Sequence, residues 1–341
     1  AGTYRSMTAQ RLFNAFGYLL ITLVLTLFAV WAGLALLIVQ PVSEVFSLAL
    51  AIGVGGLTLA ALGSLYLRRG RRLMLPAYLL MAAGSLIWWS SLEPSNDRDW
   101  QEDVAVLPHA TINGNQVTLH NIRNFTYRSE FDYTPAYYDR TFDLDQLQGI
   151  DLVSVYWMGP AIAHVFLSFD FSDGQHLAIS IETRKEKGEG YSTLRGFFRQ
   201  YELYYVVADE RDVIGLRTNY RNAPPEDVYL YRISGTREQA RKLFLEYLSR
   251  INELKAAPEF YNTLTTNCTT TIWTSSRVNQ PHLPFDWRIL ASGYVPQYLY
   301  ESGRLAAGSE SFATLQQKAL INDKAHAAGI TEEFSTLIRQ P

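Results

Sequence analysis

Cys268 is the only cysteine in the 341-residue chain, and no other residue has a setting that so favours covalent chemistry. It lies in the run Thr-Thr-Asn-Cys-Thr-Thr-Thr, after a loop and at the start of a predicted helix. The helix dipole and the free backbone N–H groups at such a position favour a thiolate and can hold an oxyanion. A single thiol also excludes a disulfide within the chain and a zinc site of several cysteines. The sequence therefore predicts a nucleophilic Cys268, with a buried structural thiol as the alternative.

A β-hairpin supplies the base that such a nucleophile needs. His164 opens a strand-like run, the turn Ser172-Asp173-Gly174 follows, and a second strand-like run comes next. In a hairpin centred near Asp173, opposed residues have numbers that sum to about 346, so Glu182 faces His164 on the same side of the sheet. A carboxylate beside an imidazole fixes its tautomer and supports its protonated form. We therefore predict that His164 activates Cys268 and that Glu182 orients His164.

His176 is the competing third residue of the predicted site. In the same hairpin register it lies opposite Asp170, well along the ladder from His164. The choice between Glu182 and His176 as the third catalytic residue stays open from sequence, with Glu182 preferred.

Further polar residues are candidates for supporting the site. Arg184 follows Glu182 by two positions on the same strand face, where it could bind a lipid phosphate or pair with Glu182. Tyr191 and Asn267 could line the site, or serve in a turn and a helix cap. The histidines are scattered, without the paired spacing of metal ligands, so no metal and no other cofactor is predicted. Two arginines are interpreted as solvated surface: Arg217 and Arg221.

An α+β domain is expected to position these residues. Strand-like runs rich in β-branched and aromatic residues come first; they are 117–127, 152–158, 164–171, 175–183, 201–208 and 228–233. The stretch 213–220 is ambiguous. A helix follows, with Thr236 as N-cap and Gln239 at the capping-box position. A short second helix is predicted over 269–278 and a mostly helical tail over 308–340. These patterns indicate an antiparallel sheet with helices packed on it.

Three uncharged runs precede this domain. They cover residues 16–39, 45–67 and 73–92, and each is long enough to cross a bilayer as a helix. We therefore predict a membrane anchor of three transmembrane helices in residues 1–92 and one globular domain in residues 95–341.

The charge distribution predicts the orientation of the anchor. Residues 1–92 carry six arginines and one acidic residue, whereas the rest of the chain carries 24 basic and 32 acidic residues. The overall net charge of −3 is too mild to indicate a nucleic-acid partner. The loop 68–72 contains four arginines, and the loop 40–44 contains none. The positive-inside rule therefore predicts a cytoplasmic N-terminus and a C-terminal domain that faces the periplasm or the cell exterior.

Three stretches of the outer domain resemble a known family. They are His164-Val-Phe-Leu-Ser-Phe, Ile-Ser-Ile-Glu182-Thr-Arg184-Lys-Glu-Lys-Gly-Glu-Gly-Tyr191-Ser and Tyr261-Asn-Thr-Leu-Thr-Thr-Asn267-Cys268-Thr-Thr. Together they resemble the circularly permuted papain-like thiol enzymes, which include the lecithin:retinol acyltransferase group. The closer similarity is to the periplasmic domain of the Lnb-type lipoprotein N-acyltransferases, over roughly residues 120–300. Those proteins carry their membrane helices after this domain, whereas here the predicted helices precede it.

The resemblance implies an acyltransferase that works at a membrane. A fatty acyl chain would move from a phospholipid to Cys268 as a thioester, and then to an amine acceptor, the N-terminal cysteine of a lipoprotein. A papain-like hydrolase, either a cell-wall peptidase or amidase or a phospholipase, remains the alternative because the same residues would serve it. A non-catalytic binding module with a structural Cys268 is a third hypothesis.

Overall fold

The computed structural model describes the backbone of residues 2–340 and the side chains of residues 10–340. The chain divides into two compact units. One contains the residues up to 93 together with 198–200, and the other contains residues 94–197 and those from 201 onward. Each unit is described by itself below.

The first unit consists of three long helices. They are α1 (Gly2–Val39), α2 (Glu44–Leu67) and α3 (Arg71–Ser90). The segments Gln10–Val39, Glu44–Leu67 and Arg71–Ser90 are long and apolar enough to cross a membrane. The prediction of three long apolar helices is therefore confirmed. Within this unit the Tyr78 hydroxyl of α3 donates to the backbone oxygen of Leu25 in α1, at 2.8 Å.

The second unit is built on a mixed β-sheet. Among the described residues, its order is β1-β2-β9-β8-β7-β6-β10, with β5 also paired to β2 and a separate β3–β4 ribbon. The strands are β1 (His109–Asn113), β2 (Gln116–Arg123), β3 (Thr126–Tyr127), β4 (Tyr133–Thr134), β5 (Tyr137–Asp143), β6 (Leu147–Tyr156), β7 (Ala163–Phe171), β8 (His176–Arg184), β9 (Glu202–Asp209) and β10 (Asp227–Arg232).

The predicted α+β class is confirmed, with one correction to the sheet. The sheet was expected to be antiparallel, but β2 and β9 pair in parallel through Arg123 and Ala208. Alternation of apolar residues identifies strands without saying which distant strand lies beside which, so this pairing had no local signal. The ambiguous stretch 213–220 is helical: it forms the end of α4 (Glu210–Gly215) and a π-helix over Leu216–Tyr220.

Helices cover both faces of the sheet. On one face lies α5 (Arg237–Ala256), which begins at the predicted capping box of Thr236 and Gln239. Its buried Phe244 and Tyr247 pack on Phe169 of β7. The other face is covered by α4 and by C-terminal residues such as Phe334. The remaining helices are α6 (Cys268–Ser275), α7 (Val295–Glu301), α8 (Phe312–Ala319), α9 (Asn322–Ala328) and α10 (Phe334–Leu337).

Candidate active site

Helix α6 begins at Cys268, and Asn267 caps it. The Asn267 side-chain oxygen accepts a hydrogen bond from the backbone N–H of Thr270 at 2.9 Å, and its amide donates to the Thr263 carbonyl at 2.7 Å. The Thr270 hydroxyl accepts in return from the Asn267 backbone N–H at 3.0 Å. This capping box fixes the start of the helix, so Asn267 has the capping role that the sequence left open. It thereby holds Cys268 in the first helical turn.

The hairpin of β7 and β8 has the predicted register. Its Cα partners include Leu167 with Ile179 and Ser168 with Ala178, and both pairs of numbers sum to 346. The regular ladder ends at Leu167. Beyond it, His164 and Glu182 still face each other, with His164 Nε2 lying 3.5 Å from Glu182 Oε1.

His176 lies elsewhere on the hairpin. It is the Cα partner of Asp170, and its Nε2 lies 3.3 Å from an Asp170 carboxylate oxygen. The structure therefore brings Glu182, and not His176, beside His164.

Cys268 and His164 form a hydrogen-bonded pair. The backbone N–H groups of Val165 in β7 and Thr269 in α6 also act on the sulfur and lower its pKa. The thiol thus lies where the start of α6 meets the open end of the hairpin.

Ser180 links the imidazole to the carboxylate. His164 Nε2 lies 2.7 Å from the Ser180 hydroxyl oxygen, and that hydroxyl donates to Glu182 Oε1 at 2.8 Å. Because the Ser180 proton is directed to Glu182, Nε2–H of His164 is the donor to Ser180. The other ring nitrogen, Nδ1, then faces the thiol of Cys268. The tautomer suits a base that removes the thiol proton.

The electrostatics of the pair favour a thiolate and an imidazolium. Burial acts to raise the pKa of Cys268, but His164 and the two backbone N–H groups outweigh it, so the pKa lies below that of an ordinary thiol. Burial and the Arg217 charge act to lower the pKa of His164, but Cys268 and Glu182 outweigh them, so this pKa is raised. The thiolate is the nucleophilic form of cysteine.

A buried arginine supports Glu182. Burial acts to raise the pKa of Glu182, but His164, Arg217 and Arg123 hold it well below its usual value. Arg217 Nη2 donates to Glu182 Oε1 at 3.2 Å, and Nη1 donates to Glu226 at 3.4 Å. Glu182 therefore remains ionised beside the imidazole.

The interpretation of Arg217 and Arg221 as solvated surface is wrong. Arg217 is only 6% exposed. Arg221 is partly buried, donates to Glu226 at 3.1 Å and lies 3.3 Å from Glu130. Both arginines belong to one ion-pair network, in which they share Glu226. Their ion pairs with these carboxylates stabilise the two arginines away from solvent.

Arg184 takes neither of its predicted roles. It is 2% exposed and donates to the carbonyls of Val104 at 2.9 Å and Ala105 at 2.8 Å. Its guanidinium also lies over the Trp100 ring, 4.2 Å from the centroid. The carbonyls and the ring occupy the guanidinium, so Arg184 fixes this segment and does not pair with Glu182.

Two buried tyrosines, Tyr261 and Tyr247, are close enough to Cys268 for its charge to affect them. Burial raises the pKa of Tyr261, and the charge of Cys268 and a hydrogen bond with Tyr191 raise it further. Tyr191 is therefore brought to the site through Tyr261, although it is 53% exposed. Burial, Tyr205 and Cys268 likewise raise the pKa of Tyr247, whose hydroxyl has no hydrogen-bond partner among the described residues.

Sequence reasoning missed Ser180, Arg217, Tyr247 and Tyr261. Ser180 had a signal, since it shares the strand face of Glu182 and precedes it by two positions. Arg217 had none, because its contact with Glu182 joins a π-helix to a strand 35 residues away. In residues 2–340, no group of three or more histidine, cysteine, aspartate or glutamate side chains could hold a metal ion.

Comparison with protein families places this site in a known domain. Residues 133–293 match the family described as the Lnb N-terminal periplasmic domain. The matched stretch is therefore an Lnb-type domain. The matched stretch of this Lnb-type domain includes Cys268, His164 and Glu182. Neither a curated protein nor a solved structure matches the chain.

The Lnb-type domain and the helices together define the class of protein. Three helices long and apolar enough to span a membrane precede the matched stretch. The chain is thus a membrane protein with a periplasmic Lnb-type domain.

Proposed function

We propose that the Lnb-type domain is a thiol acyltransferase that moves a fatty acyl chain from a phospholipid to an amine through Cys268. The observation that carries this proposal is the hydrogen-bonded pair of Cys268 and His164, with Ser180 and Glu182 behind the imidazole. A cysteine with a lowered pKa, an adjacent base and a third residue that orients the base are the features of covalent thiol catalysis.

In the first half-reaction, the Cys268 thiolate attacks the carbonyl carbon of a phospholipid ester. A C–S bond forms, and the negative charge passes to the carbonyl oxygen. The N–H of Cys268 has no intrahelical acceptor at the first turn of α6, so it can donate to this oxyanion, with a second donor beside it. The ester C–O bond then breaks, and the leaving lysophospholipid oxygen takes its proton from the His164 imidazolium.

In the second half-reaction, neutral His164 takes a proton from the attacking amine as a C–N bond forms at the thioester carbon. The C–S bond then breaks and regenerates the Cys268 thiolate beside the His164 imidazolium. Glu182 stabilises that imidazolium at each stage, and Arg217 keeps Glu182 ionised. The acceptor that we propose is the N-terminal cysteine of a lipoprotein, on the basis of the Lnb-type domain.

The membrane helices support this choice of substrates. We propose that residues 1–92 anchor the enzyme in the bacterial inner membrane with a cytoplasmic N-terminus, and that residues 95–341 face the periplasm. Phospholipid and lipoprotein both reside at the outer face of that membrane, where an anchored site meets them at high effective concentration. In a Cys268→Ser background, Gly70→Cys should resist a membrane-impermeant maleimide in intact spheroplasts and react after lysis. Labelling before lysis would contradict the orientation.

A hydrolase is the second candidate function. Cys268 is partly exposed, so water is a competing acceptor for the thioester. The experiment is to incubate the full chain with phospholipid, with and without a diacylglyceryl-cysteine peptide, and to measure lysophospholipid, N-acyl peptide and free fatty acid. Transfer predicts N-acyl peptide that requires Cys268 and is lost in Cys268→Ala. Free fatty acid at the same rate with and without the peptide would support the hydrolase instead.

A further inference from the structure

An apolar cavity lies against helix α6, one residue beyond the candidate nucleophile; Cys268 itself is not part of its lining. The lining includes Thr269 of α6 and Val165 of β7, whose backbone N–H groups both act on the Cys268 sulfur. The cavity volume is about 170 Å³. Two residues that act on the sulfur thus also line the cavity. An acyl group attached to Cys268 therefore has this space next to it.

The cavity follows helix α6 away from Cys268. Thr269, Ile272, Trp273 and Ser276 all line it, and they recur at helical spacing on one side. From Thr269 to Ser276 there are seven helical steps, and at 1.5 Å per step they give a length of about 10 Å along the helix. The facing wall is Val165, Leu167 and Leu152, which are neighbours on β7 and β6. The space therefore continues along α6 well beyond the residues next to the thiol.

The lining is mainly apolar, and several of its polar side chains already have hydrogen-bond partners, although the buried Asn279 Oδ1 has none among the described residues. The indole N–H of Trp273 donates to the Leu283 carbonyl at 3.0 Å, and the Tyr298 hydroxyl donates to the Pro284 carbonyl at 2.7 Å. Arg304 donates to the Pro281 carbonyl at 2.7 Å. A peptide or glycan buried here would leave its own polar groups without partners, whereas a hydrocarbon chain would not.

We infer that this cavity binds the part of the hydrocarbon chain nearest the thioester while the acyl group is attached to Cys268. The inference rests on the proposed function and adds to it a selectivity for long acyl chains. Each methylene that leaves water for an apolar wall adds to binding, so long chains acylate Cys268 in preference to short ones. Ala240 and Leu243 of helix α5 line the cavity and limit the space for the acyl chain.

The test compares the acylation of Cys268 by a long and a short ester. The probes are p-nitrophenyl palmitate and p-nitrophenyl butyrate, and intact-mass analysis of the full chain in detergent measures each thioester. Ala240→Phe and Leu299→Trp fill the cavity from two different walls. Leu245→Trp is the matched control, because Leu245 packs on the same core without lining the cavity.

We expect both filling variants to lower the palmitoyl-to-butyryl ratio of initial rates by at least about tenfold, while Leu245→Trp retains the wild-type ratio. An unchanged ratio, including an equal loss of both reactions, would overturn the cavity assignment. The two claims fail separately. Absence of both thioesters on wild-type Cys268 would refute the proposed function itself, whereas thioesters with an unaltered ratio refute only the chain-binding role.

Discussion

Arg217 donates a hydrogen bond to Glu182 at 3.2 Å. The contact joins the π-helix that contains Arg217 to strand β8, which contains Glu182. The contact is buried and is shared with Glu226. It gives the candidate site a fixed positive charge that keeps Glu182 ionised and opposes the protonation of His164. π-helical turns occur often at functional sites. Arg217 is thus a positioning residue that acts through Glu182.

Replacement of Arg217 should change the pH profile of the site. Arg217 acts to lower the pKa of His164, so Arg217→Gln should raise it and move the basic limb of the thioester-formation rate to higher pH. The rate at neutral pH should fall by about tenfold or more as Glu182 loses its partner. The measurement is the rate of Cys268 acylation as a function of pH. Arg221→Gln is the control, and an identical profile for both variants would refute the role of Arg217.

The Ser180 hydroxyl should contribute through the orientation of His164. Ser180→Ala removes the bond to His164 Nε2 and leaves only the 3.5 Å contact with Glu182. We expect the acylation rate to fall by roughly tenfold, because the free energy of about one hydrogen bond is lost in the transition state. Ser154→Ala is the matched control, since Ser154 is equally buried and its hydroxyl has no partner among the described residues. Equal acylation rates for both variants would exclude a role for the Ser180 hydroxyl in orienting His164.

His164 should set the reactivity of the thiol. Because His164 lowers the pKa of Cys268, wild-type alkylation by iodoacetamide should persist at a pH below that of an ordinary thiol. His164→Ala should shift this alkylation profile upward, and His176→Ala should leave it unchanged because His176 pairs with Asp170. Stopped alkylation at several pH values, followed by mass spectrometry, gives the profile. A wild-type profile like that of a free thiol would favour the structural role of Cys268.

A second buried network should control acid stability. Arg339 bonds to Glu210 at 2.6 Å and to Asp151 at 2.7 Å. Burial acts to raise the pKa of Glu210, but Arg339 and other partners lower it to about 2, from an ordinary 4.5. The lowered pKa stabilises the fold above about pH 4.5, and this contribution is lost as the pH falls towards 2.

Arg339→Gln should therefore reduce the free energy of unfolding at pH 7 by about 3–5 kcal/mol, since it leaves the buried Glu210 without its ion-pair partner, while Asp151 keeps Arg232. The Tm difference from wild type should shrink between pH 7 and pH 3. Arg128→Gln is the control, because Arg128 is exposed and its partners, Asp132 and Thr134, are also at the surface. A Tm difference that is constant with pH would contradict the assignment to Glu210.

The sequence could predict the parts of the site that local geometry determines. The turn near Asp173 was enough to pair His164 with Glu182, since a hairpin fixes its own register. The helix start at Cys268 followed from its cap, Asn267. The three long apolar helices followed from composition alone.

The remaining contacts depend on tertiary packing. Arg217 reaches Glu182 only after α4 and the π-helix fold onto the sheet. From sequence, its charge favoured the prediction of an exposed residue. Arg184 was assigned to the site because it shares a strand face with Glu182. Segment 96–105 instead covers that end of the strand and supplies its partners. Neither pairing has a signal in residue spacing, because the partners lie 35 or more positions away.

The most direct test of the central claim is the mass of the chain after incubation with phospholipid vesicles. If Cys268 carries the acyl group, the wild-type chain should gain one acyl group that neutral hydroxylamine removes as a thioester. Cys268→Ala should show no adduct, and His164→Ala should form it much more slowly. A wild-type chain that remains unmodified under these conditions, or an adduct that persists in Cys268→Ala, would contradict the role of Cys268 as the acyl carrier.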